Sequence, residues 1–220
     1  MHCLDLCCGS KSFAKACALV GLTCITVDND PVTEPDFCVD ITTWDYKRAL
    51  TPREFDVVWA SPPCTEYSRC MTSRPRDMET ADKIVMKVLE IIGYLKPKHV
   101  FIENPATGLL PGRELITYLH KNKVSYCRYG MMYQKDTNIW STMRIPDCLT
   151  CTPSAPCVIR LMTGRHTDTA QSKGKLNGIR IAYKVPMMLL VHVLHVVLQS
   201  EITHSLTLTR THDTRCADPQ

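Results

Sequence analysis

No stretch of this sequence stays apolar for the roughly 20 residues that a membrane-spanning helix needs. The longest such run, Val185 to Leu198, is shorter and carries His192 and His195, so no span is expected. The N-terminus has no basic segment, and Asp5 interrupts its first apolar stretch, so no secretory signal is expected either. Internal repeats and low-complexity tracts are missing as well. With 45% hydrophobic and 22% charged residues, the composition excludes a disordered, collagen-like or coiled-coil chain. For 220 residues, one ordinary domain remains, or one domain with a small appendage. Cysteine, by contrast, is abundant, with an odd count of 13. Without a secretory signal these read as reduced thiols of an intracellular protein, some of them candidate metal ligands.

Charge is unevenly distributed. Residues 1–120 hold 13 Lys and Arg against 16 Asp and Glu, whereas residues 121–220 hold 13 against 6. A basic half beside a near-neutral half suits an anionic partner, nucleic acid first, or else a solvated basic face.

The order of elements predicts an α/β fold. Apolar runs at His2–Cys8, Thr23–Val27, Phe37–Ile41, Phe55–Ala60, His99–Ile102 and Val124–Tyr129 read as strands. Helical spacing appears at Phe13–Val20, Glu79–Leu95, Gly112–Lys121 and from Pro186 to about Gln199. Strand–helix–strand alternation of this kind builds a mostly parallel sheet with helices on both faces. The polar, Thr-rich residues 201–220 read as a flexible tail.

Three strand ends carry candidate chemistry. The turn at Gly9 is followed, after the second strand, by Asp28, a layout that lets backbone approach a nucleotide-like ligand and a carboxylate hold its ribose. Only Gly9 matches a glycine-rich fingerprint, and Lys11 stands where a second glycine is usual, so a plain tight turn is the other reading. Ser61-Pro62-Pro63-Cys64 leaves the fourth strand. Two prolines fix the backbone and present Cys64 rigidly, as a nucleophile or simply as a strand end. Glu103-Asn104 leaves the fifth strand. Partial burial there would raise the Glu103 carboxyl toward neutrality and suit a general acid; a loop cap is the alternative.

Taken together these residues resemble the DNA cytosine-5 methyltransferases. Asp5-Leu6-Cys7-Cys8-Gly9-Ser10-Lys11-Ser12-Phe13 is similar to that family's first motif, Asp28-Asn29-Asp30-Pro31 to its second and Val39-Asp40-Ile41 to its third. Pro62-Pro63-Cys64-x-x-Tyr67-Ser68 resembles its Pro-Pro-Cys-x-x-Phe-Ser motif, and Glu103-Asn104-Pro105 its Glu-Asn-Val. The likeness covers residues 3–105. It implies a Rossmann-like, S-adenosylmethionine-dependent fold in residues 1–140. It implies Cys64 as nucleophile, Glu103 as acid with Asn104 beside it, and a cofactor held by Asp5, Cys8, Gly9, Phe13, Asp28, Asp40, Ile41 and Pro62. The implied reaction is methyl transfer to C5 of cytosine in DNA, on a base flipped out of the helix. Arg69, Arg74 and Arg76 lie where the family has a mobile loop that closes over DNA, and suit phosphate contacts or an ordinary solvated loop.

The second half matches less. The family's Gln-x-Arg-x-Arg is Gln134-Lys135-Asp136-Thr137-Asn138 here, leaving Lys135 or Asn138 to contact the base. About 40 residues, 141–184, stand where the family usually inserts a long target-recognition domain, and 185–200 form a helix returning to the core. Around that segment's Cys148–His166 stretch, Arg160, Arg165, Lys173, Lys175, Arg180 and Lys184 face a single acid, Asp168, which suits DNA. Cys148-x2-Cys151-x5-Cys157-x8-His166 offers three thiolates and an imidazole, enough for tetrahedral zinc, or a loop of reduced cysteines. The short form is similar to compact methylases of phages and large DNA viruses, the iridovirus type among them, which would act in a host nucleus or cytoplasm. An RNA (tRNA) cytosine-5 methyltransferase and a catalytically inactive nucleic-acid-binding relative are the competing readings. Lys11, Asp136 and Asn138 favour the inactive one; Cys64 and Glu103 oppose it.

Overall fold

Strand residues buried on both sides set the architecture. In β1 (His2–Leu6), Cys3 packs to one side while Leu4 and Leu6 pack to the other. The same division holds for β4 (Val57–Ala60), with Val57 and Trp59 against Val58 and Ala60, and for β5 (His99–Pro105), with Phe101 against Val100 and Ile102. Such strands cannot face water on either side, so helices must cover both faces. In the computed structural model they do. The described residues are 1–166 and 184–213, with the backbone of 175–176 and 179–180; side chains of the last helix are described as far as Ser205.

The sheet has seven strands in the order β3-β2-β1-β4-β5-β7-β6, with β2 at Thr23–Asp28, β3 at Phe37–Cys38, β6 at His120–Ser125 and β7 at Asp136–Ser141. Neighbours are parallel from β3 to β5, and β7 runs antiparallel to both β5 and β6. This is the expected α/β sheet. On one face α1 (Ser12–Leu19) and α5 (Met187–Asp213) pack through Phe13, Ala16, Cys17, Leu189, Leu190, Val193, Leu194 and Val197. On the other lie α2 (Tyr46–Ala49) and α3 (Met78–Leu95), whose Ala81, Val85, Val88, Ile91 and Leu95 are buried at helical spacing. Asp77 caps α3 by accepting the Thr80 N–H at 3.0 Å, a contact worth about 0.5–2 kcal/mol. Lys96, left-handed before Pro97, ends that helix.

The second half of the chain departs from the pattern reading. Pro111 and Gly112 prevent the helix expected over 112–121; short 3-10 turns at Leu110–Gly112 and Glu114–Ile116 stand there instead. The sixth strand begins at His120, not Val124, and Tyr126–Tyr129 is a 3-10 turn. At the sheet edge β6 can expose His120, Lys121 and Lys123, so its polar start hid it. No Pro or Gly interrupts the chain after Pro186 until Pro219, and α5 continues past Gln199 to Asp213. Its Met187–Ser205 portion is long and apolar enough to cross a membrane, and its buried stripe packs on α1 and the sheet.

The β1–α1 turn is strained. Gly9 has φ +47, and Lys11, at the position where a second glycine is usual, has φ 54. A left-handed residue with a Cβ costs roughly 1–2 kcal/mol. Lys11 offsets part of this through its ammonium contact to the Glu34 carbonyl. Lys11→Gly is expected to raise stability by about 1 kcal/mol, read as a higher urea midpoint. A lower midpoint would mean that the Glu34 contact outweighs the strain.

Candidate active site

Register brings the candidate residues to one edge. Leu6 pairs with Val27 and Ala60, and Ala60 with Ile102. One residue further along each strand stand Cys7, Asp28, Ser61 and Glu103, at the carboxyl edge where parallel sheets place ligands. A cavity of about 350 Å3 opens there. Asp5, Cys8, Gly9, Phe13, Asp28, Pro62, Cys64, Glu103 and Asn104 all line it, as do Lys135 and Val185. Asp40 and Ile41 line a second cavity of about 70 Å3, which shares Cys7, Asp28, Asn29 and Pro63 with the first.

At the β1–α1 end the backbone folds around a carboxylate. Asp28 Oδ2 accepts the Gly9 N–H at 2.8 Å and Oδ1 the Asp30 N–H at 2.9 Å. Cys8 donates its N–H to the Val27 carbonyl at 3.1 Å, and burial pushes its thiol up to about 12. Phe13 stacks on Trp59, with ring centres 5.3 Å apart, and closes the wall. Asp40 Oδ1 accepts both the backbone N–H and the hydroxyl of Thr42, at 2.8 and 2.7 Å, and these bonds hold its carboxyl below the usual range. Asp5 is buried, and that burial holds its carboxyl well above the usual range even though the Ala14 backbone donates to it. Its Oδ2 has no hydrogen-bond partner. That acceptor belongs to a residue of the cavity lining.

At the other end Cys64 follows the Pro62-Pro63 turn. Asn104 ties that turn to β5 by donating Nδ2 to the Pro62 carbonyl at 2.9 Å. Burial raises the Cys64 thiol above its usual range; Lys135 opposes the shift and Glu103 adds to it. Glu103 Oε1 accepts the Tyr126 hydroxyl at 2.9 Å and lies 3.6 Å from Lys135 Nζ. The Lys135 ammonium also stands 4.8 Å from the centre of the Tyr126 ring. Lys135 is therefore a cation of the pocket itself. Asn138 is buried in β7 opposite Asn104, and Asp136 binds Ser125, Gln134 and Lys123. The segment that replaces the family's two arginines thus gives its one pocket cation at Lys135. Tyr126 has no motif around it, and its place beside Glu103 appears only in the fold.

The expected DNA contacts fall into two groups. Beside the cavity, Arg74 pairs with Glu66 and Arg76 donates to the Ser68 carbonyl at 3.2 Å, while Arg69 is exposed. Two of these arginines thus fold their own loop. In the basic segment Arg160 is half-buried and Arg165 exposed. Lys175 and Arg180 face each other across a two-residue antiparallel pairing of Lys175–Leu176 with Ile179–Arg180. Lys173 lies outside the described residues.

The thiols gather differently from their spacing. Cys151, Cys157 and His166 do come together, but their fourth neighbour is Cys127. Cys148 packs into the core cluster beneath α5 and donates its thiol to the Ile145 carbonyl at 3.4 Å. Cys127 lies 24 residues before Cys151, in the turn after β6, and no local spacing links it to the others.

A mostly parallel sheet thus ends in a thiol, a carboxyl group and a cavity at one edge. A sequence profile of the C-5 cytosine-specific DNA methylases matches residues 1–122. The "Probable DNA (cytosine-5)-methyltransferase" of Frog virus 3 (isolate Goorha) is 36% identical over 216 residues, covering 88% of this chain and 99% of its own. The chain belongs to the C-5 cytosine-specific DNA methylase family. Among solved structures, an E. coli prophage protein described as a "putative DNA modification methyltransferase" aligns with a TM-score of 0.48 at 15% identity, covering 64% of this chain and 46% of that one.

Proposed function

We propose that this enzyme transfers a methyl group from S-adenosylmethionine to C5 of a flipped cytosine in DNA, with Cys64 as nucleophile and Glu103 as acid. The observation that carries the reading is the placement of both side chains in one cavity, with Lys135 beside Glu103. Cytosine C5 is too weak a nucleophile to be methylated unaided. The Cys64 thiol gives its proton to water, and addition of the thiolate to C6 moves electrons toward C5 and N3. A proton from Glu103 to N3 neutralises that charge, and the Lys135 ammonium stabilises the carboxylate left behind. Tyr126 and Lys135 both engage Oε1, which leaves Oε2 for the base. Asp5, Cys8, Gly9, Phe13, Asp28 and Pro62 hold the cofactor, with Asp40 and Ile41 at its adjoining pocket. S-adenosylmethionine, when bound, supplies the electrophilic methyl group. Loss of the C5 proton to water, elimination of the Cys64 thiolate and return of the N3 proton to the Glu103 carboxylate complete the cycle.

Unpairing the base costs a few kcal/mol. Contacts from Arg69, Arg74 and Arg76 and from Arg160, Arg165, Lys173, Lys175 and Arg180 to phosphates offset it. Within this reading Asp28 hydrogen-bonds the ribose. Asp28→Ala is expected to weaken cofactor binding by about 1.5–3 kcal/mol in calorimetry. Asp28→Asn, which keeps one acceptor for the turn, should cost less, and unchanged affinity in both would remove Asp28 from the site. The function itself is tested by offering labelled S-adenosylmethionine with unmethylated duplex DNA and, separately, with tRNA. Label at C5 of DNA cytosine supports the proposal, label in tRNA alone makes the substrate RNA, and label in neither indicates an inactive relative.

A further inference from the structure

Away from the catalytic cavity, four side chains from separate parts of the chain converge. Cys127 sits in the turn after β6, Cys151 in the loop after β7, Cys157 at the start of α4 (Val158–Thr163) and His166 just beyond it. Their ligand atoms all lie within 4.8 Å of one another. Nε2 of His166 is 3.7 Å from Cys151 Sγ and 3.2 Å from Cys157 Sγ. Zinc–sulfur bonds of about 2.3 Å and zinc–nitrogen bonds of about 2.0–2.1 Å put the ligand atoms of a tetrahedral ion about 3.4–3.8 Å apart. The cluster is therefore sized for one ion after small adjustments. The three cysteines are buried and the histidine is half-buried. The Cys157 N–H donates to Cys151 Sγ at 3.4 Å, the kind of outer support that orients metal ligands.

Among the described residues, the helix that carries the site adds little apolar packing of its own. No residue of α4 is buried, and Val158, Leu161 and Met162 point outward. The apolar cluster at the site contains only the three cysteines with Ile159 against them. A few hydrogen bonds tie the loop to the core, among them the Cys151 N–H to Ser125 Oγ at 2.9 Å and Arg128 to the Pro156 carbonyl at 2.6 Å. A metal supplies the stabilisation that such a segment cannot obtain from a hydrophobic core. Soft thiolates with one imidazole in a closed tetrahedral set select zinc over hard divalent cations.

We propose that Cys127, Cys151, Cys157 and His166 bind one structural zinc ion, which fastens the loop and helix of residues 148–166 to the edge of the catalytic sheet. Binding deprotonates the three thiols and takes the imidazole in its neutral form. The ion closes all four positions with protein ligands, so it leaves none for substrate. It stands apart from the methyl-transfer chemistry and holds Arg160 and Arg165 in place beside the core.

The test is the metal content of the full chain, purified under reducing conditions after growth with zinc. Native mass spectrometry should show about one zinc per chain. Cys127→Ser should lose it, whereas Cys148→Ser should keep it. An apo mass in the wild-type protein overturns the site, and so does zinc loss in Cys148→Ser with retention in Cys127→Ser. Because Cys127→Ser could fail to fold, cobalt(II) added to chelator-stripped wild-type protein gives a second reading. A thiolate-to-cobalt charge-transfer band that zinc abolishes supports the tetrahedral site, and the lack of that band contradicts it.

Discussion

Cys64→Ser is expected to lower methyl transfer on the order of 10⁶-fold, the scale seen when a covalent nucleophile is removed from an enzyme, with cofactor binding intact. Serine occupies the same space, and the turn that presents it stays fixed because Asn104 donates to the Pro62 carbonyl and not to residue 64. What changes is nucleophilicity. A serine hydroxyl needs an adjacent base to attack carbon, and the one carboxyl group in place, Glu103, is engaged by Tyr126 and Lys135. The thiol is itself held protonated by burial. A serine variant retaining a few per cent of activity would mean that some other group attacks C6.

Glu103→Gln is the second large effect. Glutamine keeps the length and can still accept the Tyr126 hydroxyl, but it cannot deliver a proton to N3 and breaks the pair with Lys135. General acid catalysis is worth roughly 10²–10⁴-fold, and the loss should fall on kcat with little change in KM for DNA. If Glu103 merely supported its loop, the amide would do nearly as well, and kcat would stay close to that of the parent enzyme.

Much of this site was legible because each part is local. Pro62-Pro63 dictates a rigid strand exit for Cys64, and Gly9 with Asp28 marks a turn and the strand end beside it. Glu103 and Asn104 end a run that only a buried strand explains. The role of Asn104 shows where local reading stops. Its sequence neighbour suggests catalysis, and its side chain also reaches a turn 42 residues away, a contact that no spacing records. Tyr126 and Lys135 reach Glu103 only because β7 pairs with both β5 and β6, a non-local event that no spacing records. Edge strand β6 begins with polar residues, and the apolar residues before it mimic a helix until Pro111 and Gly112 are weighed. Cys127 escaped for the same reason as Tyr126, since it joins Cys151 and Cys157 through the fold.

The most direct test of the central claim uses duplex DNA in which the target cytosine is 5-fluorocytosine. Fluorine at C5 cannot leave as a proton does, so elimination stops and the sulfur–C6 bond persists. With S-adenosylmethionine present, the protein should become covalently linked to this DNA, and peptide mass spectrometry should place the linked nucleotide on Cys64. A link at another cysteine, or methylation of ordinary cytosine without any trapped complex on the fluorinated strand, would contradict the account.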